Sequence, residues 1–224
     1  MTQPLLITDD LRQLLRNGLS EFAIAASDEQ QQRLLAYIAL LHKWNEIYSL
    51  TAIRDPAEMV RRHLLDSLAV LPYINGPRVI DVGTGAGVPG IPCAILRPET
   101  KFVLLDSNRK KIRFVQQAII ELKLANATAV AERAERYQPP AMCFNTVLAR
   151  AVTSLSEAAE LTKHFVCADG GRWVVMKGSY PHDELRALPG AISVVNVVPL
   201  AVPGLDAQRH LVILQPVMPG EVAS

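Results

Sequence analysis

A glycine-rich segment that follows an aspartate is the part of the chain best suited to bind a cofactor. Residues 79–90 read VIDVGTGAGVPG, in which Asp81 is followed by four glycines, Gly83, Gly85, Gly87 and Gly90. Such a segment can cradle a phosphate, bind a nucleotide-like cofactor through its backbone, or form a tight turn. A Walker loop is excluded, because the last glycine is followed by Ile-Pro and not by lysine.

The remaining letters fit two classes of cofactor. Gly85, Gly87 and Gly90 match the dinucleotide pattern GxGxxG, and Asp106 ends the next predicted strand, where a ribose-binding acid belongs. The same segment also reads Asp81-x-Gly-x-Gly-x-Gly, which places an acid before the first glycine. In this second frame, the glycines let the backbone pass close to a cofactor that carries an amino acid. Asp81 then lies near its ammonium, directly or through water.

S-adenosylmethionine (SAM) fits the two acids better than a dinucleotide does. It has an ammonium, a carboxylate, a sulfonium and a ribose diol, but no phosphate. Asp81 suits the ammonium and Asp106 suits the diol, whereas an extra carboxylate at the loop entrance does not help to bind a pyrophosphate. A dinucleotide and a purely structural turn remain the alternatives at this point.

The segments that must position these residues change character along the chain. Residues 1–75 have helical spacing of apolar residues, and Ser27 with Gln30 forms a predicted capping box. Asp55 and Pro56 predict a second helix start. From Arg78 onward, short apolar strands alternate with helical segments, which indicates βαβ units and a parallel sheet.

The final two strands differ, and they decide the fold class. ISVVNVVPL and RHLVILQP are joined by a connection too short for a crossover helix, so an antiparallel pair is expected. We therefore predict an α/β fold of the class I SAM-dependent methyltransferase type. It has a Rossmann-like, seven-stranded, mostly parallel sheet whose last strand is antiparallel. Residues 1–75 form the N-terminal helical extension, and residues 76–218 form the methyltransferase domain.

The bulk composition favours a cytoplasmic protein without a metal centre. The 224 residues are 50% hydrophobic, and 23 Lys and Arg against 22 Asp and Glu leave a net charge of +1. Total charge therefore indicates no partner, and only local clusters can. No signal peptide and no membrane-spanning segment is apparent. Cys93, Cys143 and Cys167 form no CxxC pair, so we expect neither a zinc site nor a disulfide.

The methyl acceptor should meet the cofactor near the end of the fourth strand, within FNTVLARAVTSL. This segment lacks the [ND]PPY sequence of amino-methylating enzymes and the Pro-Cys of cytosine-C5 enzymes. Arg150 emerges at the strand end, where it could bind the cofactor carboxylate, bind a substrate phosphate, or form an ordinary surface ion pair. An acceptor that loses no proton, such as guanine N7, suits such a site because it needs mainly proximity and alignment.

Several blocks of sequence together resemble one family closely. These are KWNEIYSLTAIRDPAEMVRRHLLDSLAVL, VIDVGTGAGVPGIPCAILRPE, FVLLDSNRKKIRFVQ, LARAVTSL and VVMKG. They are similar to the bacterial glucose-inhibited division protein B family, and the similarity extends from about residue 35 to the last strand. The resemblance implies SAM as methyl donor and N7 of one guanine in 16S ribosomal RNA, near the decoding centre, as acceptor.

The resemblance also assigns individual residues. The family's cofactor positions fall on Gly83, Val88, Ala134, Glu135 and Arg150, although AERAER repeats, so Glu132 is an alternative to Glu135. Its RNA-facing positions resemble Arg133, Arg150 and Lys177. Ser49 departs from the asparagine usual before Leu-Thr.

Further cations could contact RNA, and no catalytic residue is certain. We expect Arg61, Arg62 and Arg209 to join the RNA-facing set, and Arg150 and Lys177 are the candidates for a catalytic contribution. The sequence predicts an rRNA guanine-N7 methyltransferase that is a monomer and acts on 16S rRNA or the small ribosomal subunit. A non-catalytic SAM- or nucleotide-binding module is the alternative of a different class. Asp81 and the reversed last strand disfavour an NAD-dependent oxidoreductase.

Overall fold

The computed structural model of the chain describes residues 5–140, 143–150 and 154–217. Within them, one sheet contains the strands β1 (Arg78–Val82), β2 (Lys101–Asp106), β3 (Ala127–Ala131), β4 (Thr146–Arg150), β5 (Arg172–Lys177), β6 (Ile192–Pro199) and β7 (His210–Pro216). The helices are α1 (Asp9–Glu21), α2 (Asp28–Tyr48), α3 (Pro56–Met59), α4 (Asp66–Leu68), α5 (Gly90–Leu96), α6 (Arg109–Glu121), α7 (Leu155–Thr162) and α8 (His182–Arg186).

The strand order confirms the predicted fold class. The sheet reads β3-β2-β1-β4-β5-β7-β6, and β7 runs antiparallel to both of its neighbours while β1 to β5 are parallel. Because β7 is reversed, its first residue, His210, lies opposite Lys177 at the end of β5. Residues that precede β7 therefore lie at the same sheet edge as the carboxyl ends of the parallel strands.

The N-terminal helices share a hydrophobic core with the sheet. Leu34 and Leu41 of α2 belong to the same buried cluster as Phe102 and Leu104 of β2. The predicted boundary after residue 75 falls between a short 3-10 turn, Leu71–Tyr73, and β1. The other predicted boundary, residue 218, lies outside the described residues. The extension thus packs on the sheet face rather than forming a core of its own within the described chain.

The predicted helix starts are correct, but one helix is irregular. Ser27 and Gln30 form the capping box at α2, and Asp55 caps α3 with Pro56 in its first turn. The helix that starts there widens into a π-segment, Val60–Leu65, before α4. The i→i+5 bonding of this segment is seen where the amide of Asp66 donates to the carbonyl of Arg61. Such π-turns are rare and often lie at functional sites.

The expectation that the cysteines form no disulfide is wrong. Cys143 and Cys167 are joined by a disulfide with an S–S distance of 2.10 Å, whereas Cys93 is free and buried. Their neighbours Phe144 and Val166 form an isolated parallel bridge, which brings the chain before β4 beside the chain before β5. Sequence spacing could not reveal this contact, because it depends on how the strands align in the sheet.

Ser49 ends α2 in an unfavourable backbone conformation, one that suits the asparagine implied at this position by the family resemblance. Its φ and ψ are 48° and 52°, the left-handed region that suits glycine and asparagine. We expect Ser49→Asn to raise the free energy of unfolding by about 0.5–1 kcal/mol. Chemical denaturation would measure this gain. Ser49→Ala is the matched control and should give no gain; equal stabilisation by alanine would contradict the backbone explanation.

Candidate cofactor and substrate site

The glycine loop after β1 adopts a conformation that only glycine tolerates easily. Gly83, Gly85 and Gly87 have φ values of +71°, +60° and +90°. A Cβ at Gly83 would meet no atom within 4 Å, so the backbone there borders open space. Gly87 differs, because a Cβ there would lie 2.5 Å from the side chain of Ile91. Gly83 and Gly85 therefore form the part of the loop that a ligand can approach, while Gly87 packs inward.

Asp81 lies beneath this loop and holds it in place. Its Oδ2 accepts hydrogen bonds from the Thr84 hydroxyl at 2.6 Å and from the Gly90 amide at 2.9 Å. The side chain is fully buried, and its Oδ1 has no partner among the described residues. Asp81 thus organises the loop from behind. Its predicted contact with the cofactor ammonium remains a proposal.

Gly90 is the close-packing position of the loop. It begins α5, and a Cβ there would lie 2.1 Å from Cδ2 of Leu104 and 2.8 Å from Oδ2 of Asp81. This is the role that the third glycine has in nucleotide-binding folds, where helix and strand must approach closely. The last glycine of the GxGxxG pattern is therefore explained by the close packing of α5 on β2, without a pyrophosphate contact.

Asp106 lies at the end of β2 beside the open part of the loop. Its Oδ2 accepts a hydrogen bond from the Gly85 amide at 2.9 Å, and its Oδ1 accepts one from the Asn108 amide at 2.8 Å. It lines a pocket of about 290 Å³ together with Gly83, Glu132, Arg133, Ala134 and Glu135. The structure therefore brings together the predicted ribose-binding acid, the first glycine and the predicted adenine-end residues.

Two predicted site residues need a closer description. Both Glu132 and Glu135 line the pocket, so its lining does not decide between the two registers of AERAER. Val88 is partly buried and packs against the larger hydrophobic cluster. Val88 is not among the residues that line the pocket beside Asp106.

Arginines collect at the carboxyl edge of the sheet beside the N-terminal extension, and we call this group the basic edge: Arg61, Arg62, Arg150 and Arg209. Arg61 and Arg62 bind the carboxylate of Glu58 at 3.0 and 2.8 Å. A Cβ on Gly204, in the loop before Arg209, would lie 3.0 Å from Nε of Arg61, so this loop packs against the π-segment. Three of the predicted RNA-facing residues are thus close to Arg150.

Arg150 and Arg209 share one buried carboxylate. Asp66, whose side chain is 1% exposed, lies 3.2 Å from Nη2 of Arg150 and 2.9 Å from Nε of Arg209. Arg150 Nη2 also donates to the carbonyl of Arg62 at 3.4 Å. Asp66 is not among the site residues predicted from the sequence. The only available signal was an acid on the apolar side of a helix that would need a cationic partner.

Lys177, which the sequence predicted to face RNA, forms an ion pair within the protein. Its Nζ lies 2.7 Å from Oε2 of Glu184, and its side chain is 11% exposed. Glu184 also accepts a hydrogen bond from the amide of Leu155, at the start of α7. Lys177 therefore lies at the predicted edge within an ion pair, and its contact with RNA remains a proposal.

Tyr37 is a second residue that sequence reasoning missed. This fully buried residue of α2 donates a hydrogen bond from its hydroxyl to the carbonyl of Ala86 at 2.8 Å. Burial raises the pKa of Tyr37 well above its ordinary value. The hydroxyl thus stays a donor at all physiological pH values. Through this bond, the helical extension holds the glycine loop.

The pKa values of two buried groups near this edge are shifted in opposite directions. Burial raises the pKa of Asp81 to about 6. Burial, with the positive charge of Arg150 as a smaller contribution, lowers the pKa of His63 to about 4. As pH rises from 4 to 6.5, Asp81 lowers the free energy of unfolding because the folded state must release a proton that the unfolded state has already lost. His63 raises it over the same range because the unfolded state loses a proton that the folded state does not hold.

We therefore expect single substitutions of Asp81 and His63 to change the pH dependence of the free energy of unfolding in opposite directions. Between pH 4.5 and 6.5, Asp81→Asn should make the free energy of unfolding rise about 2 kcal/mol more than in the unsubstituted chain. His63→Gln should make it rise about 2 kcal/mol less. Urea denaturation at several pH values measures these slopes. Parallel pH profiles for both variants and the unsubstituted chain would contradict the assignment.

Two further features concern metals and membranes. Among the described residues, no group of three or more His, Cys, Asp or Glu side chains is arranged to hold a metal ion. In the same part of the chain, no helix is long and apolar enough to cross a membrane.

The strand order and the glycine–acid pocket define the fold of the class I SAM-dependent methyltransferases. A crystal structure of a SAM dependent methyltransferase from Aquifex aeolicus has a TM-score of 0.54 and 18% identity, and the match covers 73% of this chain and 94% of that chain. The residues present fit SAM, because Gly83 borders open space and Asp106 lines the adjoining pocket. SAM is the methyl donor of this class, as the sequence predicts.

Sequence comparison defines the family. The model of the GidB family, described as rRNA small subunit methyltransferase G, matches residues 30–212. A protein of Laribacter hongkongensis named Ribosomal RNA small subunit methyltransferase G is 47% identical over 203 residues, covering 91% of this chain and 97% of that protein. A protein of the same name from Pseudomonas syringae pv. syringae is 50% identical over 210 residues, covering 94% of this chain and 97% of that protein. The chain belongs to the rRNA small subunit methyltransferase G family, which confirms the resemblance seen in its sequence blocks.

Proposed function

We propose that this chain transfers the methyl group of SAM to N7 of one guanine in 16S rRNA, near the decoding centre. The observation that carries the proposal is the family match over residues 30–212, which includes the glycine loop, Asp106 and Arg150. The named relatives support small-subunit rRNA as the substrate. The reaction would take place in the cytoplasm, where ribosomes are assembled in bacteria.

The chemistry of guanine N7 suits the residues around the site. N7 has a lone pair in the plane of the base and loses no proton when it is methylated, so the protein need not supply a base. Its main task is to hold N7 in line with the sulfonium. Gly83 and Gly85 would place the methionine part of the methyl donor, and Asp106 would hold its ribose. His63 is an unsuitable proton acceptor, because it is buried and bonded to Thr51.

The cationic residues supply the RNA-facing surface in this proposal. Arg61, Arg62 and Arg209 flank Arg150 at the basic edge, while Arg133 lies beside the pocket at the far end of the same sheet edge. Phosphates along an RNA strand could contact both groups, and their contribution to affinity would fall as salt concentration rises. Lys177 would join them by exchanging Glu184 for a phosphate. The protein would act as a monomer, which size-exclusion chromatography with light scattering would check.

The experiment is a methyl-transfer assay with an acceptor that lacks N7. Small subunits from cells without this modification would receive labelled methyl from SAM, and particles already modified would not. Particles reconstituted with rRNA in which 7-deazaguanosine replaces guanosine are the matched acceptor, since they differ at the ring position only. We expect no transfer to them. Transfer to the 7-deaza particles would refute N7 as the acceptor, and SAM binding without transfer to any particle would indicate a binding module.

A further inference from the structure

We propose that Asp66 is a positioning residue that fixes the guanidinium of Arg150 so that its Nη1 receives a substrate or cofactor oxyanion. The inference rests on the proposed function in one respect, that this edge of the sheet receives the two substrates. Asp66 belongs to the N-terminal extension, whereas Arg150 ends β4 and Arg209 precedes β7. The three side chains meet although Asp66 and Arg209 are 143 positions apart in the sequence.

The contacts of Arg150 are unequally distributed over its guanidinium. Nη2 donates a hydrogen bond to the carbonyl of Arg62 at 3.4 Å and forms an ion pair with Oδ2 of Asp66 at 3.2 Å. Nη1 is buried and has no hydrogen-bond partner among the described residues. Because a guanidinium is planar and rigid, fixing Nη2 from two sides also fixes the direction of the N–H groups on Nη1. A buried donor without an acceptor is costly unless a ligand satisfies it.

The charges of the cluster also point to an anion. One buried carboxylate neutralises one arginine, yet Asp66 is shared between two, so the group carries a net charge of +1. The excess positive charge is shared by Arg150 and Arg209, and the unsatisfied Nη1 belongs to Arg150. Both arginines lie at the edge of the sheet where the methyl group is to be transferred. An oxyanion bound there would complete the hydrogen bonding of Arg150.

The π-segment explains how a helix residue reaches this position. Within Val60–Leu65, the carbonyl of His63 accepts a hydrogen bond from the Ser67 hydroxyl, and that of Arg62 accepts one from Arg150. The wide turn thus presents a main-chain carbonyl and, one turn later, the carboxylate of Asp66 to the same nitrogen. We infer that the π-turn serves to aim Arg150.

The oxyanion has two possible sources with the same chemistry, the carboxylate of SAM and an RNA phosphate. The test compares the unsubstituted chain with Asp66→Asn, Arg150→Ala and the double variant, using Glu29→Gln as control. Glu29 also pairs with an arginine of the extension, Arg33, but is 71% exposed and lies in α2. Thermal unfolding verifies that each variant is folded. Dissociation constants are then measured for SAM, for decarboxylated SAM, and for small subunits lacking the modification.

If the oxyanion is the SAM carboxylate, Asp66→Asn should weaken SAM about ten-fold while leaving decarboxylated SAM unchanged. If it is a phosphate, SAM affinity should stay unchanged, affinity for small subunits should fall about ten-fold, and the log–log salt slope should become shallower by about one. In both cases, Asp66→Asn should add nothing in the Arg150→Ala background.

Two outcomes would overturn the proposal. One is that Asp66→Asn lowers the unfolding temperature but changes neither dissociation constant. The other is that its effects and those of Arg150→Ala simply add. None of these measurements requires methyl transfer, so failure of the chain to methylate rRNA would refute the proposed function without deciding the role of Asp66.

Discussion

Gly90→Ala should destabilise the protein more than any other single methyl addition in the glycine loop. The added Cβ would lie 2.1 Å from Cδ2 of Leu104 and 2.8 Å from Oδ2 of Asp81, and both of those side chains are fully buried. Relief requires the buried side chains of Leu104 and Asp81 to shift or α5 to move from the sheet, and either change disturbs the hydrogen bond from the Gly90 amide to Asp81. Overpacking of this kind, together with a lost bond to a buried carboxylate, should cost about 3 kcal/mol or more.

Thermal unfolding would measure this loss, which corresponds to about 10 °C in a domain of this size. Gly190→Ala is the matched control, because a Cβ there meets nothing within 4 Å. It should change stability by less than about 0.5 kcal/mol. A Gly90→Ala variant as stable as Gly190→Ala would mean that α5 and β2 are not packed as closely as described.

Asp106→Asn should weaken SAM binding about 10- to 100-fold with little change in stability. The substitution keeps the shape and an acceptor for the Gly85 amide. It removes the negative charge and replaces the acceptor of the exposed Asn108 amide with an NH2 group. Hydrogen bonds from a ribose diol to a carboxylate are charge-assisted and contribute about 1.5–3 kcal/mol, so their weakening should appear directly in the dissociation constant.

Isothermal titration calorimetry with SAM would test this expectation. Asp183→Asn serves as control, because Asp183 lies in the first turn of α8 and its side chain is 99% exposed. S-adenosylhomocysteine, which shares the ribose, should lose affinity in parallel with SAM. If the Asp106→Asn variant bound both ligands with unchanged affinity, the ribose would not be bound by Asp106 in this pocket.

The sequence predicted those parts of the site that depend on local spacing. Asp81 and Asp106 lie at the carboxyl ends of consecutive strands, and the glycines follow the first of them. Parallel strands bring these ends to one edge of the sheet. Ser27 and Gln30 are three residues apart, so their capping box is also a local property. Residue types, their spacing and the order of the strands were sufficient to predict these features.

The features that were missed depend on contacts between distant segments. Tyr37 reaches Ala86 across 49 positions, and Arg209 reaches Asp66 across 143. The disulfide between Cys143 and Cys167 depends in the same way on how two strands align. Nothing in the composition of Val60–Leu65 signals a π-turn, because its residues are compatible with an ordinary helix. Such features require the packed structure, since each partner alone has an ordinary alternative explanation.

The hydrogen bond between Tyr37 and Ala86 has a thermodynamic consequence for the whole extension. Because α2 holds the loop that a ligand would order, opening of α2 and release of the ligand are linked equilibria. A ligand bound at Gly83 and Gly85 would therefore stabilise α2 to the extent that opening of α2 weakens its binding. Amide hydrogen exchange in α2 should slow when SAM binds, and Tyr37→Phe should reduce that protection. We therefore expect the helical extension to be more stable when the methyl donor is bound.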